Sequence, residues 1–220
     1  MTVSPGTPGP GRERLSDQAY RQIRDAIISL TLQPGSPLDE KSISSWLGIG
    51  LTPVREALRR LTLEKLAASH PGRGVYVSPI DITDESQLTE VRIQLEGLAA
   101  ALAAERATAE QKAGLLALLA DLEIEHDDRA NHTELDGRVH RAIYVAAHNS
   151  YLETTLNQYA DLALRIWNLS LRGEPVELEH ILSQRAVIEA IVRGDPQQAR
   201  LTAEQHLRGF SDSMRSVMHE

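Results

Sequence analysis

Apolar positions along the chain follow two rhythms. Between Ser16 and Leu30 they recur at Ala19, Ile23, Ile27 and Leu30, the spacing of one helix face, with Ser16 placed to cap its start. TLQPGSPL then breaks the helix with two prolines and a glycine. Asp39 is positioned to cap a second, short helix through Ile43, Trp46 and Leu47, and Gly48 and Gly50 supply the turn that follows. A third helix is expected from Thr52, whose hydroxyl would cap it and whose neighbour Pro53 suits a first helical position. It would place Val54, Leu58, Leu61 and Leu66 on one face. Next, LAASHPGRGVYVSPI reads as two short strands around a Pro-Gly-Arg-Gly tip, Val75 and Val77 alternating with Tyr76 and Ser78. Three helices and a hairpin over residues 15–79 predict a helix-turn-helix with a wing.

From Thr83 onward alternation disappears, and Ala- and Leu-rich amphipathic segments succeed one another. Helices are predicted at 84–106, 108–129, 132–147, 150–172, 176–193 and 196–216, interrupted by Asn-Ser, Arg-Gly-Glu-Pro and Gly-Asp-Pro. Connections this short imply antiparallel neighbours. The predicted fold is therefore mainly α: residues 1–14 a Pro- and Gly-rich disordered tail, 15–79 the winged head, 80–83 a linker, and 84–216 an all-α antiparallel bundle.

Composition changes this picture at three points. The 220 residues carry no cysteine, which excludes disulfides, thiolate metal sites and cysteine nucleophiles. No apolar run approaches ~18 residues and the first residues lack an apolar signal core, so a cytoplasmic protein is expected, without a membrane partner. The net charge of -8 looks hostile to nucleic acid, but it is unevenly spread. Residues 1–80 hold ten Lys and Arg against seven Asp and Glu; residues 81–220 hold thirteen against twenty-four. Because charges farther than ~8 Å apart are largely screened at physiological salt, the mildly basic head can still meet phosphates.

Arginines 55, 59 and 60 project from the third helix away from its apolar face, free to meet phosphates or guanine edges. Arg55 stands in the first turn, where the helix dipole disfavours a cation, which suggests a function; for Arg59 and Arg60 a plain solvated face is an equal reading. PGSPLDEKSI, LTPVREALRRL and GRGVYV, in this order and spacing, resemble the head of the GntR-type bacterial transcription regulators. The resemblance implies that Lys41, Thr52, Arg55 and the wing glycine Gly74 contact DNA, and Arg59 and Arg73 join them as candidates. Many members carry Ser-Arg before the Thr-Pro. Here those positions are Gly50 and Leu51, so a base contact worth ~1–3 kcal/mol of discrimination is missing and a different operator is expected.

In the second domain Asp136 and His140, four residues apart, put a carboxylate and an imidazole on one helix face, where they can grip one metal ion. His206 is the next candidate. EVRIQLEGLAAALAAERA, LDGRVHRAIYVAAHNSYL and the late IVRGDPQQA resemble the ligand-binding domain of the FadR branch of the same family. The metal-binding members place a further His twenty-two residues before the last one, but here that residue is Gln184, with His180 one turn earlier and ~6 Å away along the axis. Three outcomes stay open: Gln184 ligates through its amide oxygen, His180 replaces the imidazole, or no metal is held. Imidazole and carboxylate suit Zn, Ni or Mn.

Arg92 and Asn149 stand where the branch has R-x-x-L-E and A-x-x-N motifs, and with Gln184 they complete the candidate effector residues. A small carboxylate effector would suit Arg92, although pairing with Glu96 on its own helix is an equal reading. His126, His132 and His148 are expected to be solvated, and Tyr144 and Trp167 to belong to the core. The function expected is a homodimeric repressor, not an enzyme, that binds double-stranded operator DNA and is released by a small organic acid. The alternatives are a metal-sensing regulator and a metal-dependent hydrolase with Glu96 or Glu204 as general base.

Overall fold

The computed structural model describes residues 13–124, 129–170 and 178–219, and the chain divides into two compact units at Pro79 and Ile80. The first holds α1 (Leu15–Ile28), α2 (Glu40–Leu47), α3 (Leu51–Leu63), β1 (Ala67–His70) and β2 (Gly74–Val77). The periodic residues Ala19, Ile23 and Ile27 of α1 are fully buried, as are Val54, Leu58 and Leu61 of α3, the helix on which α1 packs. Asp39 caps α2 as expected, its carboxylate accepting from the Ser42 amide, and Gly48 closes that helix in a left-handed conformation. Two caps differ from expectation. Helix α3 begins at Leu51 with Gly50 at its N-cap, so Thr52 lies inside the first turn and its hydroxyl caps nothing. Gly50, with φ of -61° and ψ of 160°, reaches the extended cap conformation one residue sooner, and Pro53 still falls where no helical N–H is needed. Similarly, α1 starts from Arg14 rather than from Ser16.

β1 and β2 pair antiparallel from Ala67 opposite Val77 to His70 opposite Gly74. Gly74, at φ +99°, occupies backbone space that a side chain would strain. The PGSPL segment does more than break a helix. Leu38 donates to the Val75 carbonyl at 2.8 Å and Gly35 to that of Val77 at 2.9 Å, so the segment lies along β2 as a third edge and fixes the wing to the head.

The second unit contains α4 (Ile82–Arg106), α5 (Ala109–Ile124), α6 (Arg129–Ala146), α7 (Ser150–Ser170), α8 (Leu178–Arg193) and α9 (Pro196–His219). Helix α4 starts two residues earlier than expected because Asp81 caps it through the Thr83 amide. It is the central helix and packs most extensively on α9, then on α6, α7 and α8. Its alanines Ala99, Ala100 and Ala103 are fully buried, and facing helices close on them with Val139, Leu156, Ile188 and Ala199. Among the described residues no helix is long and apolar enough to cross a membrane.

Candidate functional site

The proposed DNA face consists of exposed side chains. Lys41, Thr52, Arg55, Arg59, Arg73 and Gly74 are all exposed in the first unit. Arg55 donates to Glu40 of α2 at 2.6 Å. Arg60, which spacing could not separate from Arg59, is committed to the fold. Its guanidinium carbon lies 3.6 Å from the Tyr20 ring centre, and its nitrogens meet Glu64 at 3.0 Å and Asp17 at 3.7 Å. Glu64, although buried, has both oxygens served, since the Tyr20 hydroxyl donates to it at 2.7 Å.

In the second unit one turn of α6 aims Asp136 and His140 inward, and α9 brings His206 to them from 66 residues away. One ligand atom from each of the three lies within 4.8 Å of the others. Each imidazole is fixed by its far nitrogen. His140 Nδ1 donates to Glu96 Oε2 at 2.7 Å, and His206 Nδ1 is hydrogen-bonded to the Ser183 hydroxyl at 2.6 Å. A carboxylate only accepts, so Nδ1 of His140 carries the hydrogen and Nε2 of the neutral ring keeps its lone pair. The two Nε2 atoms stand 3.4 Å apart, and that of His140 lies 3.6 Å from Asp136 Oδ2.

Burial shapes the electrostatics. Glu96 is almost wholly enclosed, which alone would raise its pKa. The Arg92 and His140 charges overcome that and hold the carboxyl far below its usual range. Arg92 gives two nitrogens to Glu96 Oε1, at 2.7 and 2.8 Å. Burial pulls the His140 imidazole down, yet Glu96 and Asp136 together raise it above its ordinary value. Tyr144, beside them, is pushed up by burial and by the Glu96 charge. On α7 burial lowers Arg165 to about 10.

Gln184 comes to the same place, donating through Nε2 to Asp136 Oδ1, while its Oε1 is buried without a hydrogen-bond partner among the described residues. Asn149 lies elsewhere: its side chain accepts from the Leu152 amide at 3.2 Å at the start of α7, and it does not line the cavity at Asp136. His148 is exposed and meets Gln111. His126 and the side chains of His132 and His180 lie outside the described residues. Tyr144 is core, as its aromatic character suggested. Trp167 is buried too, but stacked on Phe210 at 4.4 Å it also walls the cavity that adjoins the triad. Spacing gave no sign of Ser183, nor of Phe210 as a wall. Both depend on which helix faces which, and i, i+4 patterns do not encode that.

Neither general base of the hydrolase alternative is available. Glu96 is clamped between Arg92 and His140, and Glu204 pairs with Arg200 and Arg208 along α9. A winged head with an exposed basic face, carried on the same chain as a helical unit with a buried polar centre, defines a DNA-binding transcription regulator rather than an enzyme. Comparison with known proteins gives the family. Residues 15–77 match the model described as bacterial regulatory proteins, gntR family, and residues 87–209 match the FCD domain. The chain belongs to the GntR family of bacterial transcription regulators, with the FadR-type C-terminal domain. It is 27% identical over 210 residues to the HTH-type transcriptional repressor RspR of Escherichia coli strain K12, covering 94% of this chain and 91% of that protein. It is 28% identical over 195 residues to the probable D-xylose utilization operon transcriptional repressor of Paenarthrobacter nicotinovorans, covering 86% and 85%. The structure of E. coli McbR/YncC shares the fold with a TM-score of 0.82 at 24% identity, over 93% of this chain and 99% of that one.

Proposed function

We propose that the protein is a cytoplasmic, homodimeric repressor whose winged heads hold a near-palindromic operator through Lys41, Thr52, Arg55, Arg59, Arg73 and Gly74. A small organic acid bound in the helical unit beside Asp136, His140 and His206 releases it. The observation that carries the reading is the pair of imidazoles held through Nδ1 with both Nε2 atoms facing one point. Metal-binding histidines are held in this way, the far nitrogen fixing ring and tautomer. Two nitrogens at 2.1 Å from a tetrahedral ion stand roughly 3.4 Å apart, the separation found here. The donors therefore fit a divalent ion such as Zn, Ni or Mn, with Asp136 as third ligand and Gln184 orienting Asp136 through its amide rather than ligating. Such an ion would supply a Lewis-acidic position for an oxygen of the effector. Arg92, locked to Glu96, fixes the carboxylate that fixes His140.

Effector release is a population shift: an acid that favours the state with mismatched heads must do so by about 5.5 kcal/mol to turn 99:1 into 1:99. The test is a mobility-shift assay on the upstream regions of the native genome, run with and without a panel of carboxylates, beside metal analysis of the purified protein. Specific retardation that a carboxylate abolishes, lost in His140→Ala, is expected. Absence of preference for any upstream region at moderate salt would sink the proposal.

A further inference from the structure

The cavity beside the triad has two arginines in its wall, and they are not equivalent. Arg92 is buried and both its close contacts go to Glu96. Arg141, one residue past His140 on α6, is 39% exposed, and its one ion pair among the described residues is with Asp161 of α7, at 3.5 Å. Asp161 has other interactions besides this one. Arg141 also lines a wider cleft that opens on the other side of it between α5 and α6, together with Arg138. Its guanidinium lies across Gly137, where a Cβ would come within 3.1 Å of Nη1. A side chain at this mid-helix position would press on the guanidinium and displace it by a few tenths of an ångström.

The remaining lining decides what the arginine serves. Ala160, Ala163, Leu164, Trp167, Leu207 and Phe210 form the rest of the wall, and no hydroxyl or amide side chain lines it among the described residues. Away from Asp136, His140 and His206, a ligand hydroxyl buried against these apolar residues would lose its water and meet no side-chain hydroxyl or amide. The cavity measures about 40 Å³, enough for a few water molecules, so an organic acid enters only if a wall gives way. The loosely held, half-exposed wall is Arg141.

Resting on the effector-responsive reading above, we infer that Arg141 takes the effector's carboxylate, and that the effector is an acid with an apolar aryl or alkyl body rather than a polyhydroxylated acid. The guanidinium exchanges Asp161 for the ligand's carboxylate, a planar fork meeting a planar acceptor, while the apolar body lies against Leu164 and the stacked Trp167 and Phe210.

The experiment uses the full-length protein with benzoate, hexanoate, gluconate and the neutral benzamide as probes, read by calorimetry and thermal shift. Benzoate or hexanoate is expected to bind at least tenfold more tightly than gluconate, and benzamide not to bind. Arg141→Met should lose at least tenfold in affinity for the apolar acid, Arg141→Lys less, both keeping the wild-type zinc stoichiometry. Gly137→Ala separates ligand contact from folding: it should raise the melting temperature by ~2–4 °C while weakening the acid several-fold. Equal affinity of Arg141→Met and wild type would overturn the assignment of Arg141. Tighter binding of gluconate would overturn the ligand class and leave the effector reading standing. Binding of none of the acids by a protein that still retards operator DNA would overturn both.

Discussion

Arg59 and Arg60 are neighbours on one helix with different fates, and the difference is physical. Arg60 finds an aromatic face and a buried carboxylate within reach, so its charge is spent on joining α3 to α1. Arg59 is exposed and makes no ion pair among the described residues, which suits it to the DNA contact proposed above. Replacing Arg60 with alanine removes a cation–π contact and leaves buried Glu64 short of one donor, a loss on the order of 1 kcal/mol. Arg60→Ala should therefore lower the head's melting temperature, while Arg59→Ala leaves it unchanged and reduces the salt dependence of DNA binding by about one phosphate contact. Melting curves paired with a salt titration read both. Arg55 poses the opposite problem, since Glu40 occupies it before DNA arrives. To reach a guanine edge it must leave that carboxylate. With Glu40→Gln we expect tighter binding to operator and non-operator DNA alike, with the ratio between them reduced; an unchanged ratio would show that Glu40 plays no part in selecting partners for Arg55.

At the scale of elements, α8 is the one to alter. It contributes Ser183, which fixes His206, and Gln184, which fixes Asp136. An imidazole in place of the Gln184 amide would add a far stronger donor at the edge of the same triad, so Gln184→His should raise zinc or nickel affinity at least tenfold in a chelator competition. An unchanged affinity would mean that residue 184 points away from the ion. How legible these elements were varied with the kind of signal. Helix limits followed the sequence where Pro, Gly and Asp act locally: Gly194-Asp195-Pro196 separates α8 from α9 where it was expected to, and Asp39 caps α2, whereas without such a signal Arg129, expected to close one helix, opens α6. Competition between adjacent caps was not legible, and Gly50 displaced Thr52 by one residue. Nor was pairing across distance. Spacing proposed Asp136 with His140, but that Glu96 would anchor His140, or that PGSPL would lie along β2, depends on tertiary packing that no short window contains. Asn149 is a motif position whose side chain caps its own helix, a local use that the motif did not reveal.

Over the whole molecule the two units divide the labour by charge as well as by fold, a mildly basic head and a strongly acidic helical unit on a chain of net charge -8. They also divide the two tryptophans. Trp46 is 53% exposed on α2 of the head, and Trp167 is 6% exposed in the cavity wall against Phe210. Each unit thus carries its own optical probe. In a Trp46→Phe variant the remaining emission should be blue-shifted and resist iodide quenching, and it should change when an acid occupies the cavity. In a Trp167→Phe variant the emission should be red, readily quenched, and sensitive to operator DNA instead. Emission from Trp167 that ignores every ligand able to release the operator would place the effector away from this wall. Output and input can then be timed separately in unlabelled protein, which makes the order of ligand arrival and DNA departure a question for a stopped-flow fluorimeter.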